Sequence, residues 1–432
     1  MQLKNVVLVD GARSAFARGA RGKLVATRLD EAGATVLRTL LDRNPKVADG
    51  MIEDVGIGIV GGPSEFSYLG NVQRLAGLPL EACAFNSNRQ CGSSMETLHR
   101  VTMAIQTGTI ECGVAMGIER MGRGLGGGGS PPTRVTKLNK KISELNDVQR
   151  KMAPDHDQYF SVAFPEYILS SPWLQSMPQT AQNVAEVYGL TREELDAYAV
   201  ASHAATHAAY EAGVYKDEVV PLEVEDPVYD DKGAWVEAEH GKTIVFDRDE
   251  GIRPGTTAEK LASLPTLKGV ISHGDKEIII TAGNSCPTND GISAAILMSE
   301  ERALALGLTP LARIAGIAVG GVKPQLMGIG PVVSSKKALA QAGIGADKID
   351  RVEFNEAFAA QVLPSIRELG IAADKVNVNG GSLAIGHPLG ATGARLVTTV
   401  AKELRRSNGR YALATQCIGA GMGISTVIER LD

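Results

Sequence analysis

Asn86-Ser-Asn-Arg-Gln-Cys91-Gly-Ser-Ser-Met-Glu-Thr-Leu-His99 follows the short apolar run Ala82-Cys-Ala-Phe85 and leads into Met95, Leu98, Val101, Thr102 and Ile105, spaced by threes and fours. The run reads as a buried strand and the spacing as a helix. Cys91 therefore falls on a strand-to-helix turn with small residues behind it. A thiol there meets unsatisfied N–H groups and the positive end of the helix dipole, and both favour the nucleophilic thiolate. The turn alone leaves two readings open, a nucleophile or an inert buried cysteine. For architecture it is more decisive, since strand, polar turn and helix in succession are the unit of an α/β fold.

Outward from this turn the alternation continues. Val6–Val9, Val55–Val60 and Cys112–Met116 read as strands, with a helical region around Leu29–Leu41, a pattern that places a sheet under helices on both faces. Gly56-Ile-Gly-Ile-Val-Gly61 matches GxGxxG, but its glycines lie inside an apolar run and Pro63 follows, so it reads as strand and not as a dinucleotide site. Beyond a second helical run over Thr180–Gly213, with capping chemistry at Thr191-Arg-Glu-Glu194, the segment Pro221–Pro265 is polar and irregular. Strands are expected again at Ile278–Thr281, Ile292–Met298, Ala312–Val319, Val352–Phe354, Val376–Val378, Tyr411–Thr415 and Ile424–Ile428. Helices are expected at Ser335–Ala342, Phe358–Leu369 and Ala391–Leu404. The shared order of elements points to a duplication with a large insertion between about 120 and 280.

At 432 residues the chain has room for two or three domains with large cores, and 44% hydrophobic with 22% charged residues suits a globular protein. A net charge of −5 gives no electrostatic reason to expect nucleic acid. No signal peptide or membrane-spanning run is visible. Five scattered cysteines (83, 91, 112, 286, 417), never spaced CxxC, argue against a disulfide framework or structural zinc and for a reducing, cytoplasmic setting. After the flexible Gly124–Gly129 and Pro131-Pro132, the stretch Arg134–Met152 carries Val135, Leu138, Ile142, Leu145, Val148 and Met152 on one helical face. Its other face is rich in lysine and arginine, and an aromatic stretch runs from Tyr159 to Trp173. A cover over its own active site or subunit contact, a dock for a partner protein at 134–173 and a membrane-surface helix all fit.

Three turns of the second half have the composition of a site. Asn355-Glu-Ala-Phe-Ala359 puts a carboxamide after a strand, where it serves either an open α/β site or a helix cap. Gly380-Gly-Ser-Leu-Ala-Ile-Gly-His387-Pro-Leu-Gly-Ala-Thr-Gly-Ala394 surrounds one imidazole with glycines, and Pro388 delays the helix until the ring is presented. Gln416-Cys417-Ile-Gly-Ala-Gly-Met-Gly423 frees N–H groups of the kind an oxyanion hole needs, with Cys417 read as lying at a βα turn equivalent to that of Cys91. Two thiols and an imidazole suggest that one thiol carries an acyl group and the other moves a proton on or off carbon. Ordinary small buried residues remain the alternative.

At these residues the chain resembles the thiolases, in the form of the degradative 3-ketoacyl-CoA enzymes. Asn88-Arg-Gln-Cys91-Gly-Ser-Ser-Met is similar to the family's N-x-x-C-(S/G)-S motif. Asn355-Glu-Ala-Phe, Gly386-His387-Pro-Leu-Gly-Ala-Thr-Gly, Cys417-Ile-Gly-Ala-Gly-Met-Gly and Thr281-Ala-Gly-Asn-Ser-Cys-Pro-Thr-Asn-Asp-Gly291 resemble four further signatures, in the family's order across nearly the whole chain. The resemblance implies a five-layered αβαβα subunit of two similar halves: 1–121 with 280–300, and 301–432, with an inserted loop domain over 122–279. It implies Cys91 as acylated nucleophile, His387 as the base for its proton and for an incoming CoA thiol, and Cys417 as acid/base at the acetyl α-carbon. Asn355, through a water, would join His387 in holding the acetyl thioester oxygen, while the N–H groups of Cys91 and Gly419 would hold the acyl-enzyme carbonyl. CoA- and acyl-binding roles fall to Arg253, Lys260, Ala282, Cys286, Met327, Ala357 and Phe358. CoA would be a co-substrate, with no metal or bound cofactor, and the assembly a homodimer or homotetramer.

Departures from the pattern leave acyl preference open. Cys286 replaces the usual serine of the pantetheine channel, Lys260 a small residue, and Leu264-Pro-Thr-Leu267 an L-R-P-A-F run. The long insertion is more like that of thiolase subunits in β-oxidation complexes, although those often carry His where Asn355 stands. An acetoacetyl-CoA-specific biosynthetic thiolase and a complex subunit for an unusual acyl group are the alternatives within the family. A decarboxylating ketosynthase, a hydroxymethylglutaryl-CoA synthase and a non-catalytic acyl-CoA-binding subunit are those beyond it.

Overall fold

The computed structural model of the chain describes residues 3–61, 71–122, 176–272 and 274–431. Its strands are β1 (Val6–Ser14), β2 (Ala17–Arg18), β3 (Asp54–Gly58), β4 (Cys83–Ser87), β5 (Cys112–Arg120), β6 (Val219–Val220), β7 (Leu222–Glu225), β8 (Thr243–Phe246), β9 (Asn289–Ser299), β10 (Ala312–Gly321), β11 (Arg351–Phe354), β12 (Tyr411–Ile418) and β13 (Met422–Glu429). One large sheet runs β11-β12-β13-β10-β1-β9-β5-β3-β4.

The sheet contains the same pattern twice. In the first half, β1, β3, β4, β5 and β9 stand in the spatial order third, second, fourth, fifth, first. The fifth strand is antiparallel to its neighbours. In the second half, β10, β11, a single parallel bridge from Val376 to Val352, β12 and β13 repeat that order and those directions. The halves meet where β1 and β10 pair antiparallel, Val7 opposite Arg313 and Leu8 opposite Ala312.

Strand alternation then builds five layers. Val7, Val9, Val114, Met116, Ile292 and Ile296 face outward onto Leu37, Leu40 and Leu41 of the Leu29–Asp42 helix. Their neighbours Val6, Leu8, Ala115, Ala295 and Leu297 face inward. There they share one core with Leu98 and Val101 of the Ser93–Gln106 helix, Leu396 and Val400 of the Leu389–Arg406 helix, and Ala412, Ala414 and Ile424 of the other half. Leu413 and Val427 face out again, onto Leu339 of the Gly330–Ala342 helix and Val362 and Ile366 of the Ala359–Leu369 helix. The two central helices are thus enclosed by both half-sheets, and each begins at a turn carrying a candidate site residue.

Three expectations need correction. Ile278–Thr281 is not a paired strand beyond a bridge from Thr281 to Thr266. Side-chain amides take its backbone instead: Gln182 accepts from Ile279 N at 3.0 Å, and Asn284 Nδ2 donates to Ile279 O at 3.0 Å. Val376–Val378 pairs at one residue only, because Asn377 turns to φ 48° and its side chain bonds Phe354 from both ends. The helical run at Thr180–Gly213 is two helices, Met177–Val187 and Arg192–Glu211, divided near Gly189 (φ 62°). The second opens with the expected capping box between Thr191 and Glu194. The amphipathic stretch Arg134–Met152 and the aromatic stretch Tyr159–Trp173 lie outside the described residues.

Candidate active site

Cys91 sits where β4 hands over to the Ser93–Gln106 helix. Asn88 Oδ1 accepts from Gln90 N at 3.0 Å, and Ser93 Oγ donates to Gln90 O at 2.6 Å, which holds Gln90 at φ 48° and aims the next residue into the site. The chain can approach so closely because β3 ends in Gly58, where a Cβ would lie 2.4 Å from Ser94 N. Cys91 is buried, and the backbone N–H of Gly419 favours ionisation of its sulfur. Burial nevertheless wins: it pushes the thiol up to about 11 against the Gly419 donor and the residue's own N–H, with Glu119 adding to the rise. The preference for thiolate expected at the helix N-terminus is therefore outweighed by burial. Burial thus favours the thiol form of Cys91.

His387 stands at the equivalent turn of the second half. A short helix, Ser382–Ile385, ends at Gly386 (φ 114°), where a Cβ would strike the Asn289 amide at 2.6 Å. Asn289 Oδ1 accepts from His387 N at 2.9 Å, and Pro388 caps the Leu389–Arg406 helix. The hydroxyl of Thr392 donates to Pro388 O at 2.8 Å, so it accepts from His387 Nδ1–H at 2.6 Å. Across the ring, Asn355 Nδ2 lies 3.3 Å from Nε2, while Asn355 Oδ1 accepts from Ser382 Oγ at 2.7 Å. Both ends fix one tautomer, with the lone pair on Nε2. Burial, with the Arg395 guanidinium assisting, holds the imidazole neutral down to about 3. Asn355 is no helix cap; Phe358 occupies that position for Ala359–Leu369.

Cys417 departs from expectation locally. It lies within β12, opposite Gly423 of β13, and leads into a hairpin and not into a helix. Its thiol is buried, and desolvation, with the Cys91 and Cys286 sulfurs, pushes it well above the usual range while the Gln361 amide pulls it down. Cys286, whose own thiol is raised by burial and by Cys91, is half-buried and donates its N–H to Ala357 O at 2.9 Å. The three sulfurs therefore lie close enough for Cys91 to raise the pKa of the other two. Met327, Ala357 and Phe358 are buried in the same apolar cluster as Cys417.

A cleft of about 590 Å³ is lined by Arg253, Lys260 and Ala282 and by Ser285 and Pro287 on either side of Cys286. Arg18, Arg21 and His203 also line it and escaped the sequence reading, since they stand far from any motif. Other omissions lie inside motifs or beside them. Glu356 is fully buried and accepts from Tyr198, Ser202, Asn377 and Leu383 N, which ties the Asn355 turn to the His387 loop. Gln361, Gln416, Ser382, Thr392 and Asn289 each bond a residue of the Cys91, Asn355 or His387 group. Glu119 accepts from Val60 N, Gly61 N and, at 2.7 Å, Gly390 N; burial pushes its carboxyl up to about 7. Among the described residues no group of three or more His, Cys, Asp or Glu is arranged to hold a metal ion, and no helix is long and apolar enough to cross a membrane.

Comparison with known proteins adds independent findings. The family model described as the thiolase N-terminal domain matches residues 6–301, and that of the thiolase C-terminal domain matches residues 308–430. A 3-ketoacyl-CoA thiolase of Vibrio vulnificus (strain CMCP6) is 37% identical over 433 residues, covering 99% of this chain and 100% of that protein. The 3-oxoadipyl-CoA/3-oxo-5,6-dehydrosuberyl-CoA thiolase of Escherichia coli (strain K12) is 38% identical over 436 residues, with the same coverage. Human mitochondrial 3-ketoacyl-CoA thiolase, solved in complex with CoA, superposes with a TM-score of 0.80 at 31% identity, over 100% of this chain and 99% of that one.

Proposed function

The chain belongs to the thiolase family, and from that premise we propose that it cleaves 3-ketoacyl-CoA with a second CoA to acetyl-CoA and a shortened acyl-CoA, or runs the reverse condensation. The observation that supports this reading is that Cys91 and Cys417, from opposite halves, lie close enough for Cys91 to raise the pKa of Cys417, while His387 is neutral and held in one tautomer.

The reaction proceeds in two half-reactions. His387 Nε2 takes the Cys91 proton as the sulfur adds to the 3-keto carbon. The N–H of Gly419, which already favours the Cys91 thiolate, and the N–H of Cys91 receive the oxyanion. The carbonyl reforms, the Cα–Cβ bond breaks, and Cys417 gives its proton to the acetyl-CoA carbanion, whose thioester oxygen faces Asn355 and His387. The proton held by His387 then resets Cys417. Neutral His387 takes the proton of a second CoA thiol, which attacks the acyl-Cys91 thioester, and returns it to the departing Cys91 sulfur. The cationic side chains of Arg253, Lys260, Arg18 and Arg21 suit the phosphates of CoA, with Ala282 and Cys286 along the channel and Met327, Ala357 and Phe358 against the acyl group.

The repeated strand order supports a division into halves 1–121 with 280–300 and 301–432, with 122–279 as the inserted cover. A homodimer or homotetramer, a partner at 134–173 and a reducing, cytoplasmic setting complete the proposal, the last supported by five unpaired cysteines. Thiolysis across 3-ketoacyl-CoAs with straight, branched, aromatic and carboxylated acyl groups tests it, and a member of that panel should turn over. Activity on acetoacetyl-CoA alone would favour the biosynthetic type. Condensation with a malonyl thioester and none with acetyl-CoA would overturn the reading.

A further inference from the structure

β12 carries Gln416 and Cys417 side by side, so the two side chains leave opposite faces of the sheet. The even positions Ala412, Ala414 and Ile418 face the central layer, where the Ser93–Gln106 helix begins. Gln416, on that face, is fully buried, and its Nε2 donates to the carbonyl of Cys91 across the boundary between halves. The helix itself starts its acceptors one residue later, with Glu96 N on Gly92 O at 2.8 Å, so Gln416 fills a position the helix leaves over.

Cys417, on the odd face, looks to the outer layer, where Gln361 lies in the first turn of the Ala359–Leu369 helix. Gln361 is also fully buried. One N–H of its amide is spent on Asn355 O at 2.8 Å, and the amide lies against the Cys417 sulfur. Its stem is held by Gly328, where a Cβ would come within 2.8 Å of Gln361 Cβ. Each cysteine thus has a rigid carboxamide of its own.

We infer that these two buried carboxamides divide the half-reactions between them: Gln416 is a positioning residue for acyl transfer at Cys91, and Gln361 is the donor that supports Cys417 as a thiolate during proton transfer at carbon. The inference rests on the thiolase reading. When Cys417 has protonated the carbanion, its negative sulfur sits out of water, where a fixed N–H is worth most. When Cys91 is acylated, an unpaired Cys91 carbonyl beside the oxyanion would oppose it, and the Gln416 N–H removes that dipole from the site.

Two exchange reactions of acetyl-CoA separate the steps. Incorporation of labelled CoA needs only thioester exchange at Cys91, and uptake of solvent deuterium into the methyl group needs only α-proton removal by Cys417. Gln416→Met should slow CoA incorporation roughly ten- to a hundredfold and deuterium uptake by less than about threefold. Gln361→Met should do the reverse and move the pH profile of deuterium uptake to the alkaline side. If a methionine variant fails to fold, as read by thermal unfolding, Gln416→Glu and Gln361→Glu keep the shape, replace a donor by a charge and should show the same split more strongly. Variants that slow both exchanges equally, or neither, overturn the inference while the thiolase reading stands. Wild-type protein that performs neither exchange nor thiolysis overturns both.

Discussion

The two halves of this protein share a strand order and differ in what they place at matching positions. In each half a central helix starts after the third strand; the turn before it holds Cys91 in the first half and His387 in the second. In each half the fourth strand ends with a buried group whose ionisation burial opposes, Glu119 in the first and Cys417 in the second. The fourth-strand end of each half also braces the central helix of the other: Glu119 accepts from Gly390 N, and Gln416 donates to Cys91 O. Duplication therefore supplied two equivalent helix starts, one in each half. Different side chains on that common frame put a thiol at one start and an imidazole at the other.

The comparison breaks most sharply if the two cysteines are exchanged in role. Cys91→Ala should abolish the acyl-enzyme, seen as loss of the mass adduct and a fall in thiolysis of roughly 10⁴-fold or more. Cys417→Ala should retain CoA exchange into acetyl-CoA yet lose carbon–carbon cleavage by roughly 10²- to 10⁴-fold. Wild-type thiolysis rates in Cys417→Ala would remove the acid/base from its assigned place.

A smaller effect concerns the base. Thr392 receives the Nδ1 proton of His387, so Thr392→Val should release the tautomer and lower kcat roughly ten- to a hundredfold with little change in KM, and Thr392→Ser should recover most of it. Equal losses in Val and Ser variants would mean that packing, and not the hydroxyl, matters.

The smallest effect sharpens the contrast of resting states. The Cys91 thiol lies at about 11, raised above its ordinary value, so the protonated form dominates at neutral pH and the thiolate appears only as pH rises. Alkylation of the Cys91 peptide, followed by mass spectrometry, should accelerate about tenfold per pH unit from 7 to 10. A rate independent of pH over that range would reveal a preformed ion pair with His387 instead.

Much of this was legible in the chain. The apolar run and the period-three-to-four pattern around Cys91, the alternation of strands with helices and the glycines about His387 reflect local backbone needs, and local needs leave local signatures. Asn355, His387 and the Cys91 turn stand out in the sequence for that reason. The βα turn expected at Cys417 was not there, because glycines free the backbone for a hairpin as readily as for a helix start, and only pairing with β13 decides between them.

By itself the sequence determined the alternation of elements, the order of the motifs and the identity of the groups able to do chemistry. The tertiary structure alone decided their electrostatics and their company. Burial reversed the thiolate preference that a helix N-terminus suggests, since removing a charge from water outweighs a dipole and two N–H donors. The union of β1 with β10 brought Gln416 to Cys91 and Glu119 to Gly390, contacts between residues 325 and 271 positions apart. No periodicity can encode such partners, because they depend on how two half-sheets close around two helices.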